Sequence, residues 1–335
     1  MTAPELPSPR GPVSAAVLDA LRGDAGALQT VDTDGADALG DDLQLALYCC
    51  YELHYRGFAG VDDDLEWDPA LLALRGRLEA VFERALRDAV PPSDGSDLGE
   101  VLDALLVEPV SGRGASWHIK EAGEPWQVRE YVAHRSLYHL KEADPQAMVI
   151  ARIDGAPKAA LVTVQHDEYG AGDPARMHSR LFADMMVALD LHPGYGHYLD
   201  AAPAETLAEV NLMSLCGLHR RLRGALVGQF ATVELTSSPG SDRLVRGLRR
   251  LGLPEAAVEF YAEHVEADAV HEQLLRRGVV APLVAAEPAL AADVVFGVRA
   301  STFLADRLGE HLLTCWEAGR SSLRGKGAAG LSPAA

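Results

Sequence analysis

From residue 117 to about 320, apolar side chains return every three or four residues almost without interruption, and stretches of strict alternation are nearly absent. A chain patterned in this way must bury one stripe of each segment against neighbouring helices, which confines it to an all-α architecture. The segments 126–143, 175–191 and 204–235 are predicted helices, as are SDRLVRGLRRLG, PEAAVEFYAEHVEADAVHEQLLRRGVV and AEPALAADVVFGVRASTFLADRLGEHLLTCWEAG. Helical spacing also recurs over 14–22, 41–56, 69–88 and 98–107, with GFAGVDDDLEWDP, PPSDGSD and SGRGAS as breaks. The expected organisation is a Pro-rich disordered tail over 1–12, an N-terminal helical region over 13–115, a larger bundle over 116–320 and a flexible tail over 321–335.

Charge and cysteine usage narrow the function classes. The 335 residues carry a net charge of −19, which argues against a nucleic-acid partner, because affinity for a phosphate backbone comes from cations. Cys49, Cys50, Cys216 and Cys315 have no CxxC spacing and are expected to be reduced packing thiols, as in a cytoplasmic protein. The N-terminus MTAPELPSPRGP lacks a basic region followed by an apolar core, so no secretory signal is expected. No uncharged apolar run approaches the ~20 residues of a membrane span, and no membrane partner is expected.

One short stretch points to chemistry. In HVEADAVHEQ, residues 264–273, His264, Asp268 and His271 are four and then three residues apart, so on a helix all three emerge from one face. Two imidazoles and a carboxylate suit a borderline transition metal such as iron, manganese or zinc. With 12 His and 49 acidic residues in the chain, chance alone gives about 0.06 such matches. The competing reading is a solvated face, since Glu263, Glu266 and Glu272 surround the triplet.

A carboxylate-bridged two-metal site in a helical bundle takes about six side chains from several helices. Glu234 follows the apolar run GALVGQFATVE, where an acid is expensive to bury without a cation; alternatively it is a helix-end glutamate reaching solvent. Glu168 and His178 flank GAGDP, in which Asp173 and Pro174 resemble an N-cap and first helical residue. Glycines before them suggest a kink able to unite Glu168 with His178. Otherwise Glu168 is a loop acid and His178 a core histidine, with His166 and Asp167 as rival ligands.

The set Glu168-x9-His178, Glu234 and His264-x3-Asp268-x2-His271 resembles the ligand set of the haem-oxygenase-like diiron oxidases. The similarity extends to LYHLKEADP, DEYG, ELTSSPGS and CYELHYRGF, covers most of 41–320, and is nearest to the N-oxygenase branch. That branch includes a guanidine-hydroxylating domain and an enzyme that oxidises 2-aminoimidazole. The resemblance implies a haem-oxygenase-like helical bundle that holds two Fe ions and no haem. It also implies O2 as co-substrate and oxygen transfer to an amine nitrogen. The branch carries an extra carboxylate on its first core helix, matched here by Glu142; alternatively LKEADPQ is a plain helix C-terminus with Glu142 in solvent. Glu142, Glu168, Glu234 and Asp268 together would neutralise two Fe2+, with His178, His264 and His271 as nitrogen ligands.

These features imply a small-molecule amine substrate and an external reductant, since no flavin or nicotinamide fingerprint is present. Two alternatives are a diiron oxidase doing C–H or C–C chemistry and a non-catalytic metal-binding protein. The N-terminal helices with CYELHYRGF resemble a dimerising segment, so a homodimer is expected, against the simpler reading of an extension packed on its own bundle.

Overall fold

A computed structural model describes residues 3–29, 31–33, 35–108 and 110–325, the side chains at 27, 29, 266, 268 and 269 excepted. Among the described residues there is no strand, and the chain is an all-α, haem-oxygenase-like bundle. The N-terminal part folds as α1 (Pro12–Leu21), α2 (Asp41–Glu52), α3 (Pro69–Ala89) and α4 (Leu98–Leu105). Helix α3 starts where local chemistry dictates. Pro69 occupies its first position, and the Asp68 carboxylate accepts hydrogen bonds from the Ala70 and Leu71 amides.

The bundle proper comprises α5 (Ala115–Glu121), α6 (Pro125–His139), α7 (Asp144–Ala147), α8 (Gly155–Glu168), α9 (His178–Ala188) and α10 (Ala204–Leu218). It continues with α11 (Arg223–Arg250), α12 (Glu259–Gln273), α13 (Ala281–Ala286) and α14 (Ala291–Glu317). A π-helical turn, Leu274–Val280, links α12 to α13. At the centre α11 packs on α14. A Cβ on Gly228 would collide with the Val294 carbonyl, and one on Gly297 with the Ala225 carbonyl. The two backbones therefore touch where only glycine fits. The span Pro288–Glu317 is long and apolar enough to cross a membrane, and half of its apolar window is buried inside the protein. Its contacts with α11 and α10 are those of a core helix.

Several expectations need correction. The predicted helix over 204–235 is broken at His219, whose extended backbone separates α10 from α11 and whose Nε2 lies 2.9 Å from the Glu79 carboxylate. Conversely, SDRLVRGLRRLG is no separate helix, because α11 runs through Pro239. Proline removes one backbone hydrogen bond, but Leu235, Ser241 and Leu244 on either side stay buried on the same packing face.

The first dozen residues are not a disordered tail where described. Ala59 donates to the Pro4 carbonyl (2.8 Å), Ser8 N–H to Asp200 (2.8 Å) and Arg10 to the Leu199 carbonyl (2.8 Å). A segment too proline-rich to satisfy its own backbone is held by the bundle instead. The start of the predicted flexible tail is ordered for a similar reason. The buried Glu130 carboxylate on α6 accepts from Trp316 Nε1 (3.0 Å), from Ser322 N–H and Oγ–H (3.0 and 2.7 Å), and from the Ser321 hydroxyl. Residues 326–335 lie outside the described residues.

The boundary at 115/116 is no break in packing, since one apolar cluster runs from Val13 and Leu45 through Leu215 and Phe230 to Leu304. In α2, every residue from Leu43 to Glu52 is buried within its own chain. That includes the start of CYELHYRGF, while residues 53–57 of the same segment are half-buried. A second apolar cluster gathers Val132, Phe182, Phe260 and Leu312. The buried acids and histidines lie between the two.

Candidate metal centre

The polar side chains at this junction are delivered by helix ends, helix faces and one turn. Helix α6 stops at His139, and the following turn presents Glu142, which is 5% exposed. The alternative of a solvent-facing Glu142 is therefore not what the fold adopts, and the residue sits past the first core helix rather than on it. Helix α8 ends on Glu168 and α9 begins on His178. Between them Gly170 takes φ +76°, and a Cβ there would lie 2.6 Å from the Met177 amide. A glycine is needed for this reversal. Asp173 is not the N-cap of α9; its carboxylate accepts from the Ala175 amide in a local turn five residues before the helix starts. Glu234 comes from α11, and His264 and His271 from α12.

The result is two buried triplets. Ligand atoms of Glu142, His178 and His264 all lie within 4.8 Å of one another, and so do those of Glu168, Glu234 and His271. Glu168 joins the two groups. One oxygen is 2.9 Å from His178 Nδ1 and the other 3.4 Å from His271 Nδ1, while Glu234 reaches His271 Nδ1 at 3.1 Å. Six of the seven predicted ligands thus converge. Asp268 belongs to α12, but its side chain lies outside the described residues.

The hydrogen bonds around the triplets orient the rings for a cation. His264 Nδ1–H donates to the Phe260 carbonyl (2.7 Å), leaving Nε2 as a lone pair. That Nε2 is buried without a hydrogen-bond partner and lies 4.0 Å from Glu142. A buried acceptor left unmatched costs free energy unless something fills its place. We assign His271 Nε2–H to Asp167 (3.3 Å), which turns Nδ1 toward Glu168 and Glu234. Outer hydrogen bonds of this kind fix the tautomer of metal-ligating histidines. Buried carboxylates around imidazole lone pairs fit a borderline divalent cation such as iron.

His139 is the participant that sequence reading missed. Burial pushes its pKa down to about 4, so the ring is neutral at pH 7. Its Nδ1–H donates to the Glu142 carboxylate at 2.9 Å, and its Nε2 accepts from Arg135 at 3.4 Å. Burial alone would raise the Glu142 carboxyl, yet its contacts with His139, His264 and His178 hold it below the usual carboxylate range. The signal was present as a His three residues before an acid in HLKE, but only the turn after α6 makes that spacing meaningful. Asp167, weighed as a rival ligand to Glu168, supports His271 from the outside.

A cavity of about 680 Å³ opens onto this centre and is lined by Glu142, Glu168, Glu234 and His264 together with Tyr131, Tyr261 and Phe260. Residues 129–306, more than half of the chain and including every predicted ligand, match the family described as iron-containing redox enzyme. The protein belongs to that family. No curated protein matches the chain. As an iron-containing redox enzyme it is an oxidoreductase, and its buried Glu/His groups are where this bundle can hold iron.

Proposed function

We propose that the protein is a non-haem diiron oxygenase that uses O2 to N-oxygenate a small amine, guanidine or aminoimidazole-type substrate. The observation that carries this reading is Glu168, whose two oxygens face one histidine from each triplet. This is the arrangement a bridging carboxylate needs. Glu142, His178 and His264 would hold one iron, and Glu168, Glu234 and His271 the other, with Asp268 as the remaining carboxylate. Bound iron supplies the one-electron chemistry with O2 that side chains lack.

What the chain itself contributes is orientation and exclusion of water. The Phe260 carbonyl and Asp167 fix two imidazoles in their ligating tautomers, and His139 holds the Glu142 carboxylate toward the centre. The cavity offers apolar walls (Leu212, Met213, Leu304) and a polar wall, the Arg135–Glu209 pair at 2.8 Å. A small substrate fits a cleft of this size. Conversion of an amine N–H to N–OH consumes O2, two electrons and two protons and releases water, so an external reductant must deliver the two electrons. We further propose that the enzyme works in the cytoplasm as a homodimer, independent of nucleic acid and membrane; sedimentation would read the association state.

The test is anaerobic loading with Fe2+, then exposure to O2 and reductant with candidate amines. Two irons per chain and a product heavier by one oxygen on nitrogen are expected. A reproducible limit of one metal per chain would sink the diiron reading. A desaturated or fragmented carbon skeleton would replace N-oxygenation by C–H or C–C oxidation at the same centre.

A further inference from the structure

On the far side of the Glu142 turn lies a second buried ionic cluster. Lys141 is 1% exposed and Glu52, at the end of α2, is fully buried. Lys141 Nζ donates to Glu52 at 3.1 Å and sits over the rings of Tyr55 (4.1 Å) and Tyr48 (5.1 Å). The Tyr195 hydroxyl closes on both Glu52 oxygens at 2.6 and 2.8 Å. Arg56 lies over the Tyr195 ring at 4.2 Å, donates to the Leu140 carbonyl at 3.0 Å and approaches Asp144 at 3.7 Å. Tyr169, next in sequence to Glu168, donates to Asp144 at 3.1 Å.

Residues 140–144 are therefore gripped at Leu140, Lys141 and Asp144, while Glu142 reaches His139 at 2.9 Å and His264 at 4.0 Å. A buried ion pair is a poor source of net stability compared with apolar side chains of similar shape. Fixing a geometry is what it does well, and here the fixed element is a turn rather than a helix.

We propose that Glu52, Lys141 and Tyr195 are positioning residues for Glu142, forming a clasp that holds the 140–144 turn so that this carboxylate meets His178 and His264. The assignment rests on the diiron reading of the centre. It gives the N-terminal helices a task in completing the metal site, since α2 supplies Glu52 and the residues just after it supply Tyr55 and Arg56.

The probe is Co2+, titrated into the full-length metal-free protein and followed by its visible absorption, alongside thermal unfolding. Wild type should take two Co2+ per chain, and Glu142→Ala should weaken one of the two. The double variant Glu52→Gln/Lys141→Met removes both charges together and so leaves no unpaired ion. It should weaken the same Co2+ by about tenfold or more, as loss of outer-shell support does, while the second Co2+ binds as in wild type. A purely structural role would lower the unfolding temperature without favouring one metal position over the other. If the double variant does not fold, Tyr195→Phe, which deletes only the clasping hydroxyl, should still weaken that one Co2+ selectively. Weakened binding in Glu142→Ala beside wild-type binding in the clasp variants would overturn the assignment alone. Wild-type binding in Glu142→Ala would remove Glu142 from the metal ligands and overturn the assignment, whereas fewer than two Co2+ in the wild type would overturn the diiron reading on which it rests.

Discussion

Glu168 and His264 should fail differently. Glu168 faces both triplets, so Glu168→Ala is expected to lose both metals, whereas His264→Ala should lower affinity by at least about tenfold at one position only. Anaerobic equilibrium dialysis with metal analysis would distinguish the two outcomes, and equal losses in both variants would remove the bridging role. His134 makes a prediction away from the metals. It is buried between the Thr206 hydroxyl (2.7 Å) and the Ser322 hydroxyl (3.0 Å), and burial lowers its pKa to about 3. A histidine with a depressed folded-state pKa contributes stability that is present above its unfolded value near 6.5. That stability is lost as pH falls toward 3, by roughly 1.4 kcal/mol per pH unit. Urea midpoints of wild type should therefore fall more steeply between pH 6.5 and 4.5 than those of His134→Gln, even though the variant starts less stable. Parallel pH profiles would contradict this.

At the scale of elements, the α11–α14 crossing is the least forgiving contact. A methyl group at Gly228 or Gly297 meets backbone, not a movable side chain, and overpacking of this kind costs about 1–3 kcal/mol or more. Gly228→Ala should lower the unfolding temperature and, by shifting α11, weaken the metal that Glu234 serves; calorimetry and metal titration would check both. The long helices were legible in the sequence because their apolar stripes are set by local spacing, and HVEADAVHEQ was legible because its residues share one helix. What sequence spacing could not supply is contact between helices. The break at His219 depends on Glu79, 140 residues away, and passage through Pro239 depends on burial on both sides. Helix α8, with Val162, Thr163 and Val164 in its middle, carries a weak helical signal and was not predicted, yet its last residue is Glu168, the carboxylate that faces a histidine of each triplet. Glu142 was reached through resemblance rather than pattern, since nothing local distinguishes it from Asp144.

For the whole molecule, two triplets assembled from four helices and one turn would, on the diiron reading, tie metal occupancy to global stability. Each bound metal should add about 2.7 kcal/mol at a hundredfold excess over its Kd. The metal-free protein should accordingly unfold several degrees lower in calorimetry than the Fe2+-loaded form, and coincident transitions would refute the linkage. The hydrogen bonds that Glu130 draws from Trp316, Ser321 and Ser322 also join the two ends of the bundle in sequence. A nascent chain has made α6 long before residues 316–322 exist, and until then it carries an acid destined for burial with none of its donors. The first core helix therefore owes the satisfaction of its own buried acid to the far end of the chain.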